Sequence, residues 1–336
     1  DLTNANLTNA NLTNANLTNT KLAGATLTNV TSGGIVGTPA SLPANYGLVN
    51  GTFVRMVNGY EIKPGANLHE ATLSNANLTN VNLTDATLTD ANLTGANLNG
   101  ATLTGATLTG VTSSNIQGTP ASLPSGYILK YGYILGPRVE LRVPLPSADL
   151  SGVDLTLANA ISGNFNATDF TGATLTEVDF DGAALMATTL TNADIKRAVF
   201  NNVVLSHANL TNANLRGAGF SRANISNATF TNATLNTVRF IGSTLTNADF
   251  TGADLTDVTF SGANYFTNAD FSGATLTNAG FTGEDLDGAT LTNAKLAGAT
   301  LTNAKLATAT LTNVTSGGIV GTPASLPTNY KLINGY

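Results

Sequence analysis

Residues 178–220 read VDF DGAAL MATTL TNADI KRAVF NNVVL SHANL TNANL RGAGF; written in fives, a bulky apolar residue closes every group. Phe180, Phe200 and Phe220 recur at steps of 20 residues, and Phe240 and Phe260 extend the column. Five residues earlier runs a column with no aromatic residue: Leu155, Leu175, Ile195, Leu215, Leu235 and Leu255. A repeat of five alone would not sort Phe from Leu in this way. A coil of four five-residue sides does, because residue i then stacks on residue i+20.

Outward from this stretch the same unit recurs, most plainly as Ala10-Asn11-Leu12-Thr13-Asn14 followed by Ala15-Asn16-Leu17-Thr18-Asn19. The bulky centres run from Leu2 to Leu27, from Leu68 to Leu108, from Leu150 to Tyr265 and from Phe271 to Leu311, with Ala160 undersized. Two residues before each centre stands a small residue, usually Ala. Positions two apart face the same side of an extended segment. The remaining positions, mostly Asn, Asp, Thr, Ser and Gly, therefore face water or turn the chain. Period five suits neither an amphipathic helix nor a long alternating strand. It suits short extended sides joined by turns, stacked so that the rows of Leu and Phe form one core.

These residues resemble the pentapeptide-repeat family, whose pattern is A-(D/N)-L-x-x. The resemblance covers most of the chain and implies an all-β fold, a right-handed quadrilateral parallel β-helix with four five-residue sides per coil. For function it implies a scaffold or, as in some members, a DNA-mimicking binder of topoisomerases.

Interruptions divide the chain. Residues 25–43 (ATLTNVTSGGIVGTPASLP) are identical to residues 309–327, and a divergent copy begins at Thr112. All ten prolines fall in these cassettes or the linkers after them, as expected for a residue that cannot donate to a ladder. The cassettes read as non-coil segments. After the first two come apolar, strand-like runs, and Val139, Leu141, Val143 and Leu145 alternate as in a strand with one buried face. Each run reads as a flap that covers or bridges the end of a coil stack, with a flexible linker as the alternative. The expected organisation is a short coil block at 1–30, cassette and flap at 31–65, a coil block at 66–111, cassette and flap at 112–147, the main solenoid at 148–314 and a C-terminal cassette at 315–336. One residue is inserted at Tyr265-Phe266, since centres move there from numbers ending in 0 or 5 to numbers ending in 1 or 6, and a bulge is expected.

Composition excludes several function classes. Charged residues make up 10% of the 336, and the net charge is −6, so there is no basic stripe for nucleic acid. Cysteine is absent, which rules out disulfides and thiolate metal sites. No apolar run approaches the roughly 20 residues of a membrane helix. The chain opens at Asp1 inside a repeat, as though a leader had been removed or a longer array cut.

No catalytic constellation emerges. His69 and His207 sit in different blocks, both at outward positions, without the convergent neighbours a triad or metal site needs. Glu177, Asp179 and Asp181 read as solvated charges, as do Glu284, Asp285 and Asp287. Lys196, Arg197, Arg216 and Arg222 make a small basic spot facing Asp194. Thr87/Thr89 with Thr107/Thr109, and Thr290/Thr292 with Thr310/Thr312, form flat threonine arrays two ranks deep, short for an ice-binding face. No enzyme activity, cofactor, metal or small-molecule substrate is expected.

The leading expectation is a structural scaffold, a secreted or surface-associated bacterial protein that stacks head to tail with itself. Its proposed self-stacking ends are Leu2, Leu7, Leu12 and Leu17 on one side and Tyr330, Leu332, Ile333 and Tyr336 on the other. Two alternatives are a DNA-mimic module acting on a topoisomerase and an adhesin or carbohydrate-binding rod using Tyr127, Tyr131 and Tyr133.

Overall fold

The computed structural model describes residues 1–335, which form two compact units, Asp1–Ile134 and Leu135–Tyr336. Among the described residues there are strands and isolated β-bridges but no helix. The bridges are parallel and most join residue i to residue i+20, as in Asn6↔Thr26, Thr87↔Thr107 and Asp194↔Asn214. Leu7 N donates to Thr26 O (3.0 Å) and Thr26 N donates to Ala5 O (2.9 Å), and this two-bond pattern repeats from coil to coil.

Local chemistry explains the unit. At many centres the preceding Asn or Asp accepts from the backbone N–H two residues on: Thr8 N donates to Asn6 Oδ1 at 3.0 Å, and Thr171 N to Asp169 Oδ1 at 2.8 Å. This side-chain mimic of a turn opens those corners. Two residues past the centre the chain takes a left-handed conformation, as at Asn9 (φ 60°) and Asn14 (φ 60°), which Asn tolerates. The Asn-Leu-Thr triplets are thus turn chemistry.

In the unit Asp1–Ile134 the cassettes are coils, contrary to the expectation of non-coil segments. Thr31, Val36 and Ser41 bridge to Asn11, Asn16 and Lys21, and Thr112, Gln117 and Ser122 bridge to Asn92, Asn97 and Thr102. The prolines fit because of where they stand. Asn19 N donates forward to Thr38 O, and Pro39, 20 residues on, has no N–H to leave unpaired at the last coil of its stack; Pro120 relates to Gly100 in the same way. The first flap is an antiparallel sheet of β1 (Tyr46–Val49), β2 (Thr52–Val57) and β3 (Tyr60–Ile62). Phe53 packs on the core holding Leu17 and Ile35, while Val57 and Ile62 belong to the core of Leu68–Leu108. Arg55 ties the flap to that block by donating to Thr79 O (2.9 Å) and Asn77 O (2.8 Å). The second flap is a two-stranded sheet of β4 (Ile128–Lys130) and β5 (Tyr133–Leu135).

In the unit Leu135–Tyr336 the ladder starts at Glu140↔Asn159, ahead of 148, and continues past 314 to Lys305↔Ser325. Residues 139–145 therefore open a first coil, as two of its sides, and are not an alternating strand: Leu141 N donates to Asn159 O (2.7 Å) and Leu145 N to Asn164 O (2.8 Å), with Val139 and Leu141 buried as the small and bulky members of one side. Where the coil sides lengthen they form β6 (Gly219–Ser221), β7 (Arg239–Ile241) and β8 (Thr259–Ser261), paired parallel with Phe220, Phe240 and Phe260 in register. Phe180, Phe200, Phe220, Phe240, Phe260 and Phe281 stack with ring centroids 4.8–5.3 Å apart and planes within 20°. That spacing is the inter-strand distance, so the backbone ladder sets the ring stack. The Leu column at Leu155, Leu175, Ile195, Leu215, Leu235 and Leu255 is buried throughout.

Candidate functional site: the coil ends and the bulge

The bulge lies just ahead of where the phase change suggested. The bridge step becomes 21 at Thr244↔Tyr265 and returns to 20 at Tyr265↔Asp285. Tyr265 is not a centre: it is 63% exposed, and Phe266 takes the core position at 1%. The extra residue frees Asn264 to turn inward, into the column of small residues. There Ser243 N donates to Asn264 Oδ1 (2.8 Å), Asn264 N donates to Glu284 Oε2 (2.8 Å), and Asn264 Nδ2 reaches Phe240 O (3.2 Å). Glu284, expected in water beside Asp285 and Asp287, is 1% exposed, because two residues before Leu286 it occupies an inward position. Outside this network Tyr265, Asp285, Asp287 and Lys305 line a surface hollow of about 450 Å³, with Lys305 Nζ 3.1 Å from Asp285 Oδ2. The Asp287 N–H and then Lys305 hold the Asp285 carboxyl below the usual Asp range.

The other charged groups serve the coils. Asp154, Asp169, Asp249 and Asp270 each accept from the N–H two residues on. Glu177 pairs with Arg197 one coil on, and Asp194 with Lys196 at 3.0 Å. His69 faces Thr89 O at 3.1 Å with Asp90 at 4.0 Å, and no group of three or more His, Cys, Asp or Glu able to hold a metal occurs among the described residues. Of the three tyrosines considered for sugars, Tyr131 is more than half exposed, with Lys130 Nζ 5.5 Å from its ring centroid; Tyr127 and Tyr133 are partly buried.

At the first coil Leu2, Leu7 and Leu12 are half-buried and Leu17 is buried. The backbone N–H and C=O groups of Asn6, Asn11 and Asn16, which in later coils would join a neighbour, have no backbone partner among the described residues. At the third cassette Leu332 is half-buried, while Tyr330 is 45% and Ile333 63% exposed; Tyr336 lies outside the described residues. The sequence pattern pointed to these ends. It missed the Ser243–Asn264–Glu284 network, whose only signal was polar residues at inward phase.

By sequence, residues 193–265 match the family described as pentapeptide repeat region, residues 245–290 match pentapeptide repeats (9 copies), and 1–31, 66–105, 145–202 and 285–315 match pentapeptide repeats (8 copies). The chain belongs to the pentapeptide-repeat family. Solved members similar to this pentapeptide-repeat protein include HetL, involved in heterocyst differentiation regulation in the cyanobacterium Nostoc (23% identity over 75% of this chain and 92% of that one, TM-score 0.23). Another is QnrB1, a plasmid-mediated fluoroquinolone resistance protein (20% identity, 53% and 92%, TM-score 0.36). A third is Rfr23 from the cyanobacterium Cyanothece (22% identity, 40% and 63%, TM-score 0.19). No functionally curated protein matches the chain by sequence.

Proposed function

We propose that this pentapeptide-repeat protein is a non-catalytic structural scaffold that joins copies of itself end to end, outside the cell or on its surface. The coil is taken as right-handed and four-sided, as in the family's known structures; the i+20 ladder with a turn in each five residues supports the four sides. The observation that carries the scaffold reading is the open edge of the first coil. Unpaired ladder groups at Asn6, Asn11 and Asn16 lie beside half-buried Leu2, Leu7 and Leu12, while the Leu68–Leu108 core is covered at its first coil by β2 and β3. An exposed strand edge with apolar residues behind it is a template for pairing. A further coil completes such an edge, and the scaffold reading takes that coil from another copy. Such a contact is heterologous and does not close, so it builds threads. The neutral Asn/Thr surface suits a protein that touches many copies without a strong field.

Negative-stain electron microscopy across a concentration series tests this. Unbranched threads that lengthen with concentration are expected, and they should vanish with Leu7→Asp. Short isolated particles at every concentration would remove the reading. A topoisomerase-directed DNA mimic has less support: carboxylates stack in adjacent ranks only in short runs, such as Asp249 above Asp270, and are held by their own turns.

A further inference from the structure

The unit Leu135–Tyr336 buries all twelve of its phenylalanines, and of the Phe and Tyr residues between Val139 and Leu311 Tyr265 alone points outward. Its ring and hydroxyl have no hydrogen-bonding or aromatic partner among the described residues. The fold holds it there by a costly arrangement. Where β6, β7 and β8 widen one corner, the N–H groups of Ala223, Ser243 and Asn264 do not find the turn carbonyl that Ala183 N finds at Phe180 O (2.8 Å). Each donates instead to a side chain one rank on: Ala223 N to Ser243 Oγ (3.2 Å), Ser243 N to Asn264 Oδ1 (2.8 Å) and Asn264 N to Glu284 Oε2 (2.8 Å). Three polar residues thus stand in an inward column that elsewhere reads Ala183, Val203, Ala223 and Ala304. Buried polar groups are tolerated when they are hydrogen-bonded, and these are. Ala263, left-handed at φ 61° without being glycine, adds strain. A bulge re-aims a side chain, and the one re-aimed here is Tyr265.

Outside, three successive ranks carry three kinds of group. Tyr265 bridges to Asp285 and Asp285 to Lys305, so the residues bearing an aromatic ring, a carboxylate and an ammonium follow one another about 5 Å apart along one column. Asp287 stands two residues beyond Asp285 in the middle rank. The floor is small, with Ala263 and Gly283, where an added Cβ would meet nothing within 4 Å. The resulting hollow of about 450 Å³ falls within the roughly 300–1,000 Å³ usual for ligand pockets. Its polar groups are only partly used. Asp285 accepts from the Asp287 N–H (3.2 Å) and from Lys305 Nζ (3.1 Å), and Asp287 Oδ1 accepts from the Thr308 N–H (3.1 Å). A carboxylate offers about four acceptor sites and an ammonium three donors, so both aspartates and Lys305 keep free capacity.

We propose that this hollow is a binding site for a neutral saccharide. A sugar ring lays its C–H face on Tyr265, its hydroxyls donate to Asp285 and Asp287, and one hydroxyl accepts from Lys305 Nζ. Tyrosine offers a large apolar face, and a few convergent polar groups beside such a face fix a ligand's orientation. The mixture of charges selects the class. A cationic ligand meets the like charge of Lys305, and a phosphate or carboxylate meets two aspartates. A hydroxyl both donates and accepts, so a neutral polyol uses groups of both signs without repulsion. Three ranks span about 10 Å, which leaves room for more than one sugar ring. The site involves no coil end and is independent of end stacking.

A glycan array carrying neutral, acidic and amino-sugar oligosaccharides, probed with the labelled full chain at a concentration where it sediments as a monomer, reads the class. Calorimetric titration with the neutral oligosaccharide that binds best then reads the site. Neutral glycans should bind, with an affinity little changed between low and high salt. Tyr265→Ala, at a side chain outside the core and checked for an unchanged β-type circular dichroism spectrum, should weaken binding about tenfold or more, the scale of losing an aromatic anchor. Asp287→Asn should weaken it about threefold to tenfold, the scale of one hydrogen bond. Tyr131→Ala, at the other described tyrosine more than half exposed, should leave it unchanged. A silent array, binding confined to acidic or amino-sugar glycans, or binding indifferent to Tyr265→Ala would overturn the proposal.

Discussion

At the scale of single residues, the polar surface of this protein is largely occupied with holding the coil. Asp249 and Asp254 illustrate this. Partial burial of Asp249 works against its ionisation. Hydrogen bonds from the side chain and N–H of Thr251 (N–H at 2.8 Å) and from Thr231 Oγ1 (2.9 Å) outweigh it, and its pKa is held below the usual Asp value. For Asp254 burial again opposes, and Thr256 Oγ1 (2.6 Å), Asn236 Nδ2 (2.8 Å) and the Thr256 N–H prevail. A carboxylate whose folded pKa lies below its unfolded one binds fewer protons when folded. Its contribution is complete above the unfolded value near 4 and is lost as pH falls through the folded value. Urea melts between pH 6 and pH 2 should therefore show stability falling below about pH 4, with the fall shallower in the Asp249→Asn/Asp254→Asn double variant than in the parent. Parallel acid limbs for the two proteins would show that these turns do not couple to protonation.

At the scale of the element, the cassette is a coil that ends a stack, and its glycine is the tightest point. Gly118 sits at φ +73°, and a Cβ there would lie 2.4 Å from Asn99 Cβ and 2.7 Å from Asn99 Cα, part of it fixed backbone. Gly37 and Gly321 meet Thr18 and Thr302 in the same way. Gly118→Ala combines left-handed strain with a backbone clash and should cost about 2–4 kcal/mol, read as a lowered urea midpoint with unchanged slope. A loss under about 0.5 kcal/mol, the range of an ordinary surface change, would mean the last coil gives way freely. The same cassette shows what a sequence hides. The columns of Phe and Leu were legible because stacked coils place like on like. The cassette coil was not, because 20 residues after the centres Leu12 and Leu17 stand Ser32 and Gly37, so the side-chain pattern breaks while the backbone ladder continues. Val139 and Leu141 misled for a related reason: two apolar residues two apart describe a coil side and a strand equally well. At the bulge, the phase marked Glu284 as inward two residues before Leu286, but its charge read as solvent-facing until Asn264 supplied a partner. Of the ends, the leucines of the first coil were plain in the repeat.

At the scale of the whole molecule, stability should vary along each unit rather than belong to it uniformly. A solenoid coil touches only the coils before and after it, so a terminal coil lacks one set of neighbours and opens at lower free energy than an inner one. In the unit Leu135–Tyr336, amide exchange should be slowest where the rings of Phe200, Phe220, Phe240 and Phe260 stack and faster after Leu311, whose side chain is already half-exposed. In the unit Asp1–Ile134, the fast region should be the coil of Leu2, Leu7 and Leu12, and the slow one the block of Leu73–Leu103, which is fully buried along its Leu row. Hydrogen exchange followed by mass spectrometry resolves these peptides, and a flat profile within either unit would contradict the nearest-neighbour account. The same experiment bears on assembly through its dependence on concentration. Another copy added to the open edge would engage the free N–H groups of Asn6, Asn11 and Asn16, so their protection should rise with protein concentration while that of Phe220 stays constant. Protection at the first coil that does not change with concentration would leave the ladder complete in fold but unused as an interface.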